Sequence, residues 1–159
     1  MQQITSFRGA YGFLSNMHDC RIITDLNGQT LWFNNVEAAY QAHKCPEHAE
    51  EYVGLSGVEA KWLSKRLPRR SDWESVNLAV MEKLLRLKFS LPELRGKLLA
   101  TGEAEIIEGN TWHDTFWGVC YGVGENHLGR LLMKIRGELR AEQNTTRRPA
   151  AAIKTEDML

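Results

Sequence analysis

The run SGVEAKWLSKRLPRRSDWESVNLAVMEKLLRLKFSLPELRGKLLATG, residues 56–102, decides the fold. In it a serine is repeatedly followed three residues later by a glutamate: Ser56 with Glu59, Ser71 with Glu74, Ser90 with Glu93. Such a pair reads as a capping box, in which each side chain satisfies a backbone N–H that the first helical turn leaves free. The first box opens a helix that runs up to Pro68. The second opens the longest helix, about residues 72–89, with Val76, Val80, Leu84 and Leu87 along one stripe. The third, with Pro92 in its first turn, opens a helix that stops at Gly102.

Outward from this block the pattern changes. Toward the C-terminus, AEIIEG (104–109) reads as a short strand or extended edge. NTWHDTFWGVCYGVGENHLG (110–129) is too rich in glycine, tryptophan and polar residues for a regular element. It leads into a helix whose Leu128, Leu131, Leu132, Ile135 and Leu139 form a core stripe. From about Ala141 the periodicity stops, so residues 1–140 are expected to fold and residues 141–159 to form a disordered tail. Toward the N-terminus, Asn27-Gly28 between CRIIT and TLWF predicts a β-hairpin. Asn34-Asn35 caps VEAAYQAHK (36–44), which Pro46 ends, and a short helix around residues 47–53 follows. The expected fold class is α+β, mainly α-helical: one domain with a small N-terminal β-hairpin or sheet and about five or six helices. Strands and helices do not alternate, which argues against a doubly wound parallel sheet.

Composition narrows the function. Net charge is zero, so no global field draws the chain to nucleic acid or to an anionic membrane. The three cysteines, Cys20, Cys45 and Cys120, form no CxxC, and a reducing cytoplasm is expected. No apolar run approaches membrane-spanning length, and MQQITSFRGA lacks the character of a signal peptide. The histidines show no ligand spacing, so no metal is expected.

Several groups remain as candidates for chemistry. Glu37, Gln41 and Lys44 lie at i, i+4 and i+7 on one helix face, either a solvated row or, given the small apolar remainder of that helix, the wall of an internal cleft. His127 breaks a GxGxxG fingerprint through Gly122, Gly124 and Gly129. A glycine-rich turn at a helix start still offers amides for a phosphate, and Asn126 is the expected N-cap there. Lys61 and Lys65 read as surface residues, whereas Arg69 and Arg70 are either surface charges or a bidentate phosphate grip.

Taken together, FRGAYGFLSN (7–16), VEAAYQAHK (36–44), RRSDWESVNLAVMEKLLRLKF (69–89), LLATGEAEIIEGN (98–110), WHDTFWGV and GENHLGRLLMKIRGEL resemble the NADAR superfamily, the "NAD and ADP-ribose" domain that includes the YbiA-like N-glycosidases. The stretches occur in family order across residues 7–140. Met17 stands where an aromatic is common, and His113 and Ser64 stand where glycine is common. The resemblance implies an enzyme that cleaves a bond between ribose and an exocyclic amine, a reaction that needs no cofactor. The expected substrates are ribosylaminopyrimidine phosphates of riboflavin biosynthesis or ADP-ribosylated guanine in nucleic acid. It implies Glu37, Lys44 and Asp114 as the reactive set. Lys44 would form a Schiff base with ribose C1, or Glu37 or Asp114 would activate water directly. Asn16 would orient the ribose, Trp73 or Trp117 would stack on the base, and Arg69, Arg70 and the amides from Gly124 to Asn126 would bind phosphate. For Trp73 a core anchor at a helix start is an equal alternative. The other function class is a non-catalytic module that binds ADP-ribose or a related nucleotide. It would tolerate loss of Glu37 or Lys44, both present here.

Overall fold

The computed structural model describes residues 2–147. Its elements in chain order are β1 (Gln3–Ile4), a 3-10 helix (Gly9–Leu14), β2 (Ile22–Leu26), β3 (Gln29–Phe33), α1 (Val36–Lys44), a second 3-10 stretch (Pro46–Tyr52), α2 (Gly57–Ser64), α3 (Trp73–Ser90), α4 (Pro92–Ala100), β4 (Glu105–Ile106), β5 (Gly109–Asn110), β6 (Val119–Cys120) and α5 (His127–Arg147). The mainly helical α+β reading holds.

The predicted hairpin is present. Asn27 and Gly28 both take positive φ, 55° and 76°, which gives the turn a twist that matches its strands. Ile22 pairs with Phe33 and Leu26 with Gln29. Ile22, Thr24 and Leu26 are buried while Ile23 and Asp25 face out, the alternation of a half-buried strand. The other strands are two residues long and pair in parallel, β1 with the distant β4 and β5 with the nearby β6.

The centre of the molecule is α1. Eight of its nine residues, Val36 to His43, are buried. Asn35 caps it, its side chain accepting from the Ala38 N–H at 2.7 Å, and the Glu37 N–H donates to the Asn16 carbonyl at 3.0 Å. Three alanines, Ala38, Ala39 and Ala42, let α2 and α3 pack closely against it. Gly57 opens α2 so close to α1 that a Cβ there would strike Met17.

One of the three capping boxes forms. Ser56 and Glu59 exchange both bonds at the start of α2. The other two are corrected. Asp72, not Ser71, precedes α3, and Glu74 bonds Arg69 instead of reaching back to the backbone. Ser90 is the last residue of α3, where its hydroxyl donates to the Leu87 carbonyl, so Leu91 precedes α4. In both cases a competing partner takes the group that the box needs. The α3 stripe is also shifted. Trp73, Met81, Leu84, Leu85, Lys88 and Phe89 are buried, while Val76, Val80 and Leu87 stand at its margin. Lys88 is fully buried and donates to the Ser15 carbonyl at 2.8 Å.

The core stripe of α5 is as read, with Leu128, Leu132 and Ile135 buried and Leu131 and Leu139 packed against them. The helix runs beyond Ala141 to Arg147, so the first seven residues of the expected tail are helical; the rest of that segment lies outside the described residues. No helix among the described residues is long and apolar enough to cross a membrane.

Candidate functional site

Between α1, α2, the segment from Ser6 to Met17 and the loop from Glu108 to Trp117 lies a cavity of about 290 Å³. Its size is near the lower end of small-molecule sites. Glu37, Tyr40 and Gln41 line it from α1, Lys61 from α2, and Glu108, Asp114 and Trp117 from the loop.

Two of the three residues in the polar row of α1, Glu37 and Gln41, therefore face inward. Glu37 is 6% exposed and Gln41 8%, and the Gln41 amide donates to the Glu37 carboxylate at 2.9 Å. Burial pushes the Glu37 carboxyl above the usual range, against the Gln41 hydrogen bond and the weaker pulls of Lys61 and Lys44. The side-chain carbonyl oxygens of Gln41 and of Asn16, which also lines the cavity, are buried without a partner. A hydroxyl-bearing ligand would supply the missing donors.

The loop is built by its own side chains. Asp114 Oδ1 accepts from the Phe116 and Trp117 N–H groups at 3.1 and 2.9 Å, which fixes the turn that carries Trp117. Asn110 braces it, donating to the Asp114 carbonyl at 2.8 Å and accepting its N–H at 3.1 Å. Trp117 stands edge-on to Tyr40, with ring centroids 5.6 Å apart. His113 has φ 66°, a left-handed conformation that glycine adopts more readily than histidine.

Of the residues expected from sequence, the structure brings Asn16, Glu37, Asp114 and Trp117 to one cavity. Lys44 is half-buried at the C-terminal end of α1, outside the lining. Its amine is held below the usual lysine range by burial and then by Arg69, with Glu37 opposing. Trp73 is a core anchor, 4% exposed and 4.9 Å from Tyr40 between centroids. Arg69 pairs with Glu74 at 2.9 Å, and Arg70 grips Asp72 with two bonds of 2.6 and 2.9 Å, both away from the cavity. The phosphate cradle at Gly124 to Asn126 is not free for a ligand. The N–H groups of Glu125, Asn126, His127 and Leu128 donate to the carbonyls of Thr115, Gly118, Phe116 and Trp117. Gly124 packs against the backbone of Gly118 and Val119. Asn126, at φ 54°, stands at the expected position before α5, its carbonyl accepting the Arg130 N–H at 3.0 Å. Its side chain is a staple and not a cap: the amide N–H donates to the Ile106 carbonyl at 2.9 Å and the amide oxygen accepts the Glu108 N–H at 3.0 Å.

Sequence reasoning missed Lys61, Arg8 and Glu108, all of which line the cavity. For Lys61 a signal existed. Gly57 and Lys61 are one helical turn apart, and Gly57 sits against Met17 and Glu37, so Lys61 is carried toward the same side. Glu108 lay in an apolar edge strand where nothing local marks an acid as inward. Burial pushes its carboxyl up to about 7, with the Asn110 amide opposing and Asp114 adding to the rise. Among the described residues, no three His, Cys, Asp or Glu side chains converge as a metal site.

Fold and site thus define a small, mainly helical domain with one acid-lined cleft under an aromatic shelf. The model of the NADAR domain matches residues 5–140, and the chain belongs to that family. It is 47% identical over 78 residues to N-glycosidase YbiA of Escherichia coli (strain K12), a match covering 48% of each chain. It is 44% identical over 144 residues to the chloroplastic riboflavin biosynthesis protein PYRR of Arabidopsis thaliana, over 86% of this chain and 23% of that protein. These matches thus span from about a quarter to about half of the relatives' own length. The solution structure of the E. coli protein YbiA superposes with a TM-score of 0.76 at 33% identity, over 96% of this chain and 93% of that one.

Proposed function

We propose that the protein is an N-glycosidase that hydrolyses the bond between ribose C1 and an exocyclic amine. The observation that carries this reading is Glu37: a buried carboxyl, held above its ordinary range, on the wall of a cavity framed by Tyr40 and Trp117. A carboxyl whose affinity for a proton is raised by burial is better equipped to accept one from water than an ordinary surface carboxylate. The partnerless oxygens of Asn16 and Gln41 suit the hydroxyls of a sugar. The names of the relatives, N-glycosidase and riboflavin biosynthesis protein, support the same reaction class.

In the direct route Glu37 takes a proton from water as the water oxygen attacks C1, and the C1–N electron pair passes to nitrogen, which takes up a proton and leaves as the neutral amine. Asp114 steadies the loop and the ribose side of the site. A covalent route through Lys44 is favoured by one observation, the lowered amine, which raises the fraction of free nucleophile. Borohydride during turnover separates the two, because only a Schiff base leaves a stable adduct on Lys44. The two substrate classes differ in size. A second hollow shares Arg8 and Trp112 with the cavity and continues to Tyr121, leaving room for an ADP-ribosyl group on guanine in nucleic acid, while the zero net charge fits a small phosphorylated ribosylamine. The three free cysteines are consistent with work in the cytoplasm.

The test is incubation with a ribosylaminopyrimidine phosphate and, separately, with ADP-ribosylated guanine, followed by chromatography of the released base. Release from either supports the reading. Tight binding of ADP-ribose with no release from either substrate would instead support a binding module.

A further inference from the structure

Glu108 is the carboxyl in the cavity that the route above leaves unused. Three bonds fix its position. Its N–H donates to Asn126 Oδ1 at 3.0 Å, its carbonyl accepts from the Val119 N–H at 2.8 Å, and its Oε2 accepts from Asn110 Nδ2 at 3.0 Å. Gly118 closes over it: a Cβ there would overlap both Oε2 and the Glu108 carbonyl. Glycine at 118 is thus what lets the backbone pack onto this carboxylate. The other oxygen, Oε1, has no protein donor among the described residues, and the side chain lines the same cavity as Glu37. A carboxyl with its backbone and one oxygen immobilised and the other oxygen open to a ligand cavity is arranged to act on that ligand.

Resting on the N-glycosidase reading, we infer that Glu108 is the general acid of the reaction, the group that protonates the leaving amine. The C1–N bond breaks with its electron pair passing to nitrogen. The proton on Glu108 Oε1 goes to that nitrogen, leaving Glu108 as a carboxylate. A water oxygen bonds to C1, and the proton it loses passes to Glu37. One water is consumed, C1 gains a hydroxyl, and the amine departs neutral. The two carboxyls then return to their starting states by exchange with solvent. The assignment separates the roles of the three acids. Glu37 serves the water, Glu108 the leaving group, and Asp114, whose Oδ1 already accepts two backbone N–H groups, holds the turn.

The electrostatic surroundings agree. Sharing the cavity with Glu108 are Asp114 from its own loop, Lys61 from α2, Glu37 from α1 and Arg8 from the N-terminal segment, while the uncharged Asn126, just before α5, bonds the Glu108 backbone and the apolar Leu128 of α5 lines the same cavity. Burial and Asp114 hold the proton on Glu108 up to about pH 7, where an acid catalyst is of use.

The experiment measures kcat/KM for release of the amine by the whole protein between about pH 5 and 9, for the wild type and for Glu108→Gln. The amide introduced by Glu108→Gln keeps an acceptor for Asn110, so circular dichroism and affinity for ribose 5-phosphate are expected to hold. The wild-type profile should fall on the alkaline side of about pH 7. The variant should lose about 100-fold or more in kcat, and that limb should vanish. A variant with kcat within about threefold of wild type, or one that keeps the alkaline limb, overturns the assignment. So does a wild-type profile that is flat through neutrality, a result that needs no variant. Failure of the wild type to release amine at any pH overturns the N-glycosidase reading and this inference with it. Release with an unimpaired Glu108→Gln overturns the inference alone.

Discussion

At the scale of single residues, the role proposed for Glu37 carries a cost in stability. Its folded pKa is raised above the ordinary 4.5, chiefly by burial. The folded state therefore holds this proton more tightly than the unfolded chain. The contribution to stability is full below about pH 4.5 and is lost as pH rises through the folded value. Glu37→Gln removes that loss and keeps the acceptor for Gln41. The variant should melt above the wild type at pH 8, with the gap closing toward pH 4.5, while amine release falls about 100-fold. A wild type as stable as the variant at pH 8 would mean that Glu37 carries no buried-charge cost. The same scale shows what was legible. The i, i+4, i+7 spacing placed Glu37, Gln41 and Lys44 together, and the alanines between them hinted at burial. The row curves away with the helix, so Lys44 ends outside the cavity that Glu37 lines. Lys88 was not legible: a lysine is seldom fully buried, and its partner, the Ser15 carbonyl, is 73 residues away.

At the scale of elements, legibility followed locality. The hairpin, the Asn35 cap and the Ser56 box each rest on residues within a turn of one another, and each formed. The boxes at Ser71 and Ser90 failed because Arg69 and the Leu87 carbonyl competed for the same groups. The glycine-rich turn before α5 was read as a phosphate cradle because a sequence cannot show that its amides are already donated to residues 115–118. That difference gives a prediction for Asn126. As a staple it ties the start of α5 to the 106–108 segment through one buried and one half-buried bond. Asn126→Ala leaves the Ile106 carbonyl and the Glu108 N–H unpaired and should destabilise by about 1–3 kcal/mol per orphaned group, read by urea denaturation. kcat should fall only as far as Glu108 is displaced, with KM little changed. A phosphate-binding Asn126 would give the opposite pattern, unchanged stability with a KM raised for phosphorylated substrates alone.

At the scale of the whole molecule, the parts of the site come from distant parts of the sequence: the segment around Asn16, α1, α2, and the loop between β4 and α5. What holds them in one place is the helical frame, in which α3 packs against α1, α4 and α5. The frame needs α5 only as far as its apolar stripe reaches. Leu128, Leu132 and Ile135 are buried and Leu139 packs against the core, but none of the side chains from Ala141 to Arg147 is buried. The family model likewise ends at residue 140. The last described turns of α5 are thus held by helix propensity and by exposed contacts such as Arg95 with Glu142 at 3.5 Å, which contribute little in water. We propose that the fold does not depend on the part of α5 beyond Arg140. A chain ending after Arg140 should keep its cooperative transition, with stability within about 0.5 kcal/mol of full length, and an unchanged kcat. A loss of several kcal/mol would show that the C-terminal segment packs on the domain. A selective loss of activity at full stability would place that segment over the cleft.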